Sequence, residues 1–417
     1  YLHLYRVPAL HPHSHPHPPL HNVSSSNSYP HLPRKTTRHH HHGHGHGRAR
    51  TISDLPDEIL INILSMLPAQ RDHRAMCLVS RRMNKVADPV LYKNILFDQP
   101  HHHLTFSESL LTRPRRGSLI ESIRVDYPSS ELSDFMHVHH SPISNRIVDP
   151  FSRTISTMSN LEHLKVSVPE SLCKGIGALF DGPFDLACLK SCSLFYQCDD
   201  GGYWDLQDNI QVFSHPTLES LTIRRARLDE RGFDSLEKPS ETELKVLHLI
   251  ECDINDDALS DILLHPEALK EISITQLEKP HPPLEESPDN IEDYILALPQ
   301  HSLESIIIDF PSLRGKSALR MREFEELKTL ELRDYQLFGE GSPRLHSVGF
   351  PPNLELLTFL NRVGQDDEIA ELLAYTIENK MIVARSLQYM AVANEEHDLP
   401  GVIEEACSKT GFELQFG

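Results

Sequence analysis

From Ile120 to the carboxyl end, one short pattern keeps returning: an apolar residue, two free positions, a second apolar residue, one free position and a third. It stands at Ile120/Ile123/Val125, Leu161/Leu164/Val166, Leu218/Leu221/Ile223, Leu244/Leu247/Leu249 and Leu269/Ile272/Ile274. It continues at Leu303/Ile306/Ile308, Leu327/Leu330/Leu332, Leu354/Leu357/Phe359 and Leu387/Met390/Val392. A degenerate copy reads at Leu186/Leu189, with Ser191 breaking the third place. Neighbouring copies lie from 24 residues apart (Leu303 to Leu327) to 41 (Ile120 to Leu161). One copy carries no information, but ten in order do. The last two apolar places alternate with a free one, as on a short strand with one buried face. Each such unit leaves an apolar side that only the next unit can cover, so the units must stack. Return segments read as helices at Asp256–Leu264, Asp366–Asn379 and Pro400–Ser408. Acidic pairs at Asp256-Asp257 and Asp366-Asp367 mark helix starts, where capping explains them without catalysis. The stretch Gly401–Phe416 reads as a terminal repeat.

This part of the chain resembles the leucine-rich-repeat family. Leu244 to Ile254 completes the longer signature L-x-x-L-x-L-x-x-C-x-I. The resemblance implies an α/β fold: a right-handed β/α solenoid with irregular repeats, occupying residues 120–417. It also implies that the free positions between the leucines form the recognition face. Those positions include Arg124, Asp126, Lys165, Thr222, Arg224, His248, Thr275, Asp309, Glu331 and Arg333, which mix both signs of charge.

Ahead of the repeats, about fifty residues carry three short helices' worth of apolar surface, more than so small a unit can hide. Pro56 suits a helix start, and Asp57 and Glu58 place negative charge at the positive end of that helix. Ile59, Leu60, Ile63, Leu64 and Leu67 recur at helical spacing, and Pro68 ends the run. Asp72 reads as the cap of a second helix with Met76, Leu78 and Val79. Ser80 reads as the cap of a third with Met83 and Val86. Asp88-Pro89 reads as a cap and restart through Leu91-Tyr92. Residues 51–97 resemble the F-box, on Leu55-Pro56, the Ile59/Leu60/Ile63/Leu64 stripe and the Leu78-Val79-Ser80-Arg81-Arg82 run. Met83 stands where many members carry an aromatic residue. The resemblance implies docking to the Skp-type adaptor of a cullin–RING (SCF-type) ubiquitin ligase. Leu55, Pro56, Ile59, Leu60, Ile63, Leu64, Leu78 and Val79 would supply most of the contact. The other reading of these helices is a cap on the chain's own repeats.

Charge is unevenly spread. Residues 1–50 hold six basic residues and no acid, and 51–97 hold six basic and five acidic ones. That leaves 28 basic against 55 acidic residues in 98–417, a net of −27. A surface of that sign argues against nucleic acid. It fits either a basic protein partner or a merely solvated face. Residues 1–50 are rich in His, Pro and Ser, with the low-complexity run His39–His46, and are expected to be disordered. His101–His103 and His137, His139 and His140 are similar runs. Residues 98–119 read as a linker, including Arg113-Pro114-Arg115-Arg116-Gly117-Ser118. The chain starts at Tyr1, so it is expected to be a fragment.

Seven cysteines without paired spacing read as reduced thiols, which places the protein in the cytoplasm or the nucleus or both. Cys188, Cys192 and Cys198, with His215, lack the C-x2-C pairs of zinc sites and read as inert thiols, with no metal. No apolar run reaches the about 18–20 residues that span a bilayer. Two insertions read as surface loops: Asp199–Trp204, with the only tryptophan, and Lys279–Asn290, with four prolines. Trp204 reads either as an exposed binding anchor or as a packed loop residue.

No G-x-S-x-G, G-x-x-x-x-G-K or H-E-x-x-H is present, so no enzyme and no cofactor is expected. The paired resemblances, to an F-box/leucine-rich-repeat protein of the kind abundant in fungi, imply a substrate receptor of an SCF-type ligase. The plug would hold the adaptor and the repeats a target protein. The alternative is a scaffold that binds without promoting ubiquitination.

Overall fold

The computed structural model describes residues 51–127, 150–182, 185–229, 241–340, 349–395 and 397–417. The histidine runs at 39–46 and 137–140 and the expected disorder of 1–50 lie outside those residues. The chain divides into two compact units, one reaching to Asp88 and the other starting at Pro89. Among the described residues, no helix is long and apolar enough to cross a membrane.

The first unit is built on α1 (Asp57–Ser65), α2 (Gln70–Val79) and the start of α3 (Arg81–Lys93). Pro56 is the N-cap of α1, and Asp57 and Glu58 fill its first turn. Ser80 accepts the Met83 amide at 3.1 Å and so caps α3 as its sequence suggests. Two expectations fail here. Ala69 is the N-cap of α2, which puts Asp72 inside the first turn rather than at the cap. The helix also does not restart at Asp88-Pro89, because α3 runs through Pro89. The proline forfeits one backbone bond. Val86, Ala87 and Tyr92 on either side are buried, and their packing outweighs that loss.

The second unit is organised by one parallel sheet of twelve strands. In order these are β1 (Asn94–Phe97), β2 (Ser122–Asp126), β3 (His163–Pro169), β4 (Ser191–Gln197), β6 (Ser220–Arg224), β8 (Val246–Ile250), β10 (Glu271–Thr275), β11 (Ser305–Asp309), β12 (Thr329–Leu332), β13 (Leu356–Phe359), β14 (Tyr389–Val392) and β15 (Leu414–Phe416). A second sheet joins β5 (Trp204–Asp205), β7 (Ala226–Leu228) and β9 (Asp253–Ile254). Neighbours in the large sheet follow chain order, as they must when each apolar unit is covered by the next.

Register is the same at every step. Ile95, Ile123, Leu164, Cys192, Leu221, Leu247, Ile272, Ile306, Leu330, Leu357, Met390 and Leu414 form one unbroken row of paired positions. All but the last are buried. The row corrects the frame of the degenerate repeat. Leu189, Cys192 and Leu194, all buried, hold the three apolar places, and Ser191 lies on the other face. A thiol replaces a leucine there because free cysteine packs as a small apolar residue. The row also extends the series by β1, whose Ile95 and Phe97 the sequence assigns to the preceding unit.

A second row fixes the amino ends of the strands. The residue after each repeat's first apolar place is charged in almost every copy. Its carbonyl accepts the amides of the corresponding residue in the next copy and of the residue after that: Glu219 and Ser220 donate to Lys190, Lys245 and Val246 to Glu219, and Lys270 and Glu271 to Lys245. The same pairing recurs from Glu121 to Glu355. The side chains pair as Lys93–Glu121 (2.8 Å), Glu162–Lys190 (3.0 Å), Glu219–Lys245 (3.1 Å), Lys270–Glu304 (2.9 Å) and Glu304–Lys328 (3.6 Å). Each exposed pair is worth at most about 1 kcal/mol. Their regular spacing nevertheless favours the native register over a slipped one.

The expected linker at 98–119 is ordered structure. It forms α4 (Pro100–Thr112) and a 3-10 turn (Pro114–Leu119). Phe106 is wholly buried and meets Phe97 edge-on at 5.2 Å. Arg116 lies over the Tyr92 ring, 4.5 Å from its centre. The neighbouring histidines obscure the apolar spacing of Phe106 and Leu110 in the sequence. Helices return between later strands at Asp256–Ile262, Asp367–Glu378 and Gly401–Thr410, close to their expected bounds. Asn255 caps the first of these, and Asp366 caps the second through the amides of Glu368 and Ile369.

The proline-rich loop is tied down. The buried Asp253 carboxylate accepts the amides of Glu285, Glu286 and Ser287 at 2.9–3.0 Å, and Arg227 Nε at 3.0 Å. Arg225 Nη2 donates to the His281 carbonyl, and Tyr203 Oη to that of Pro282.

The alternation predicts unequal costs for adjacent residues. Leu330→Ala should destabilise the unit by about 2–5 kcal/mol. Glu331→Ala, one residue along and facing outward, should change stability by no more than about 0.5 kcal/mol. Denaturant titration of both variants checks this, and equal losses would refute the alternation. The charged row predicts a pH response. The hydrogen bond from Lys270, with the charges of Lys270 and Lys328, holds the Glu304 carboxyl below its ordinary range. A folded pKa below the unfolded one stabilises fully above the unfolded value, and that contribution is lost as pH falls through the folded one. Carboxyl NMR should show Glu304 titrating below free glutamate, and Lys270→Met with Lys328→Met should move its midpoint upward.

Candidate functional site

The first unit exposes apolar side chains that a self-contained core would bury. Leu78 is 87% exposed and Val79 65%, side by side at the end of α2. Ile59 and Ile63, one turn apart on α1, are also exposed, as are Ile52, Ile61 and Met66. Pro56 is exposed and Leu55 half-buried. Leu60 and Leu64 differ from expectation, since each is only 1% exposed. The helical stripe therefore splits along its length. Leu60 and Leu64 are interior residues of the free chain and present no open surface, whereas Ile59 and Ile63 point outward. Helical periodicity locates an apolar stripe but does not say which edge of it stays open.

Arg82 joins the two parts of this surface. Its Nη2 donates to the Leu55 carbonyl at 2.6 Å and to Asp57 Oδ1 at 2.7 Å, and its Nε to the same oxygen at 3.0 Å. These bonds bring the start of α3 to the Leu55–Asp57 segment, although 25 residues separate Asp57 from Arg82. His73 Nε2 donates to the Leu64 carbonyl at 2.8 Å, and Asn84 Nδ2 to that of Cys77 at 3.1 Å. Arg82 belongs to the motif run, but its positioning role is not legible there. The one signal in the sequence is an arginine and an aspartate on two short, facing helices.

In the second unit, all ten residues expected on the recognition face do lie on one side of the large sheet or at its strand ends. Arg124, Lys165, Thr222, His248 and Glu331 share one outward row, together with Ser193, Ser273 and Ile307. Asp126, Arg224, Thr275 and Asp309 share the next, with Ser167, Phe195 and Ile250. Arg333 follows β12 and pairs with Asp309 at 2.9 Å. Arg124 pairs with Asp126 at 3.3 Å and His248 with Glu271 at 2.8 Å. Arg224 lies over the Phe195 ring. Burial pushes the Glu331 carboxyl up from its ordinary value. Among the described residues Lys165 has no carboxylate partner. A depression of about 290 Å3 opens over β2, β3, β4 and β6, lined by Arg124, Lys165, His163 and the serines and threonine between them.

Trp204 is not an exposed anchor. It is fully buried, meets Tyr196 edge-on at 4.7 Å and donates Nε1 to the Arg224 carbonyl at 2.7 Å. Pairing of β5 with β7 carries it inward. Cys192 is buried, Cys198 half-buried and Cys188 exposed. Burial pushes the Cys198 thiol up to about 12 and that of Cys192 further still. Among the described residues, no group of three histidine, cysteine or acidic side chains is placed to hold a metal.

If Arg82 positions this surface, Arg82→Ala should speed exchange of the Leu55 and Leu60 amides, which donate to the Ile52 and Pro56 carbonyls, while leaving global stability within about 1 kcal/mol, as befits a half-exposed pair. Hydrogen exchange read by mass spectrometry checks this. Unchanged exchange at those amides would show that Arg82 positions nothing.

Comparison with known proteins places residues 52–98 in the F-box-like family, whose domains generally bind Skp-type adaptors. That stretch holds the exposed apolar residues described above. No curated protein matches the chain.

Proposed function

We propose that this chain is the substrate-recognition subunit of a cullin–RING (SCF-type) ubiquitin ligase. Its F-box-like domain docks a Skp-type adaptor, and its leucine-rich-repeat solenoid holds a target protein. The observation that carries this reading is the exposure of Leu78, Val79, Ile59 and Ile63 within the segment that matches the family. Isolated exposed leucines are ordinary. Here adjacent ones stand open at the end of α2, which Asn84 of α3 holds through the Cys77 carbonyl, while Arg82 holds the start of α3 to Leu55. The surface is preorganised, and little ordering entropy is lost on docking.

The repeat reading rests on the twelve strands in one register and on the copies of the pattern that produce them. The outward rows offer paired charges, hydroxyls and a few apolar side chains, a mixture suited to recognising a protein surface. The chain itself does no chemistry. It works by proximity, in the cytoplasm, the nucleus or both, and needs no metal or cofactor. Fold alone does not fix function, so a scaffold that binds the adaptor without delivering a target is the competing reading.

Leu78→Asp with Val79→Asp should weaken binding to purified Skp-type adaptor by about 100-fold or more, since two apolar contacts of about 1.5–3 kcal/mol each are lost. Both positions are exposed, so the thermal transition should not move. Undiminished capture would refute the assigned surface. Reconstituted ubiquitination of a captured target separates receptor from scaffold.

A further inference from the structure

A basin of about 650 Å3 opens at the carboxyl ends of β10 to β14, beyond the outward rows of the sheet. Its walls come from the segments that follow five successive strands. Four cationic side chains line it: Lys279, Arg314, Arg333 and Arg362. Glu278 is the one acid among the lining residues. Residues 98–417 carry 55 acids against 28 bases, so a wall of four cations and one acid runs against the composition around it.

The arginines do have carboxylate partners: Glu340 for Arg314 at 2.8 Å, Asp309 for Arg333 at 2.9 Å and Asp398 for Arg362 at 2.5 Å. None of these three carboxylates lines the basin. Each is about half exposed and makes one such contact, whereas a guanidinium has five N–H donors. The carboxylates therefore hold the arginines in place without saturating them. Arg333 is the most enclosed, and its Nε finds no acceptor among the described residues. Arg314 lies over the Tyr335 ring, 4.9 Å from its centre, and Tyr335 Oη is tied to the Pro311 carbonyl at 2.8 Å. Lys279 has no ion-pair partner among the described residues. The result is a set of spare donors around one space, with the three arginines each tied to a carboxylate.

We propose that this basin binds a phosphate group of a ligand. Glu278 and the three partner carboxylates balance the four cations in number, so an anion here would be held by the guanidinium N–H groups left over rather than by excess charge. A phosphate monoester carries about −1.5 to −2 at neutral pH and offers three acceptor oxygens, which suit guanidinium forks. The volume lies within the about 300–1,000 Å3 of small-molecule sites. The same chemistry is supplied by a phosphorylated small molecule or by a phosphorylated side chain of a protein. The site does not depend on the adaptor reading, because no residue of the F-box-like segment contributes to it.

Calorimetric titration of the whole chain tests this with three probes: inorganic pyrophosphate, a phosphoserine peptide and the same peptide without phosphate. Saturable binding of at least one phosphate probe is expected, with none of the unmodified peptide. Arg314→Gln with Arg362→Gln should weaken it at least tenfold. Both side chains are more than half exposed, so the fold should survive, and an unchanged thermal transition confirms that. Arg320→Gln with Arg322→Gln, both exposed and outside the basin lining, should leave phosphate binding intact. Tighter binding of the phosphopeptide assigns the site to a protein ligand, and tighter binding of pyrophosphate to a small molecule. No saturable binding at millimolar probe, equal binding of the unmodified peptide, or equal weakening by the Arg320/Arg322 variant would overturn the proposal. Adaptor capture by Arg314→Gln/Arg362→Gln is expected to match the unaltered chain, which keeps this test separate from that of the ligase reading.

Discussion

The structure of the second unit depends on one constraint: every strand must meet its neighbours in the same register. Strands of three to seven residues have little stability alone, and parallel pairing gives them no local turn to set their alignment. A slip by one residue would turn Leu221 or Leu247 to the outer face and bring Thr222 or His248 inside. Two sets of interactions oppose that slip. The buried row from Ile95 to Met390 rewards the native alignment through apolar burial. The row of charged residues at the strand starts shares backbone carbonyls and pairs side chains of opposite sign. Neither set is strong at any one strand. Repeated along the unit, both favour the same alignment.

That repetition is also why so much of the fold is legible in the chain's sequence. A pattern copied ten times tolerates local failures of reading. The frame at Leu186/Leu189 is wrong because a cysteine does not register as a leucine place, yet the neighbouring copies put the strand within a few residues. Isolated features are less forgiving. Proline stops most helices, and the burial of Val86 and Tyr92 on either side of Pro89, which favours continuing α3, is not visible in local spacing. The segment 98–119 looks like a linker because its histidines and arginines obscure Phe106. The charged row stands in plain sight, one place after each first leucine. It escapes notice because charge between leucines ordinarily means solvated surface.

The candidate surfaces show the same division. Outward positions on the strands follow from alternation, so the repeat pattern is enough to put the ten residues expected to face a target on one side of the sheet or at its strand ends. On α1 a stripe wider than its buried half offers two choices, and periodicity does not separate Ile59 and Ile63 from Leu60 and Leu64. Trp204 poses a similar question, and its side chain goes inward because β5 pairs with β7. That pairing of two- and three-residue strands leaves no periodic trace. Arg82 and the basin arginines act on groups more than twenty residues away in the chain, and nothing in local spacing marks contacts at that range.

Charge sets the last condition on how these surfaces work. The region from residue 98 onward carries a net of −27, so its long-range field repels anions. An anionic ligand of the basin would not be steered in, and its affinity must come from contact with guanidiniums already held in place. At physiological ionic strength the field fades over about 8 Å, so a ligand seated among Arg314, Arg333 and Arg362 experiences mainly those side chains. The same field would attract cations to the sheet face, where Glu271, Asp309 and Glu331 lie half-exposed. The two surfaces adjoin through the Arg333–Asp309 pair: the basin's cations project from the segments after the strands, while the sheet face is formed by the strands themselves.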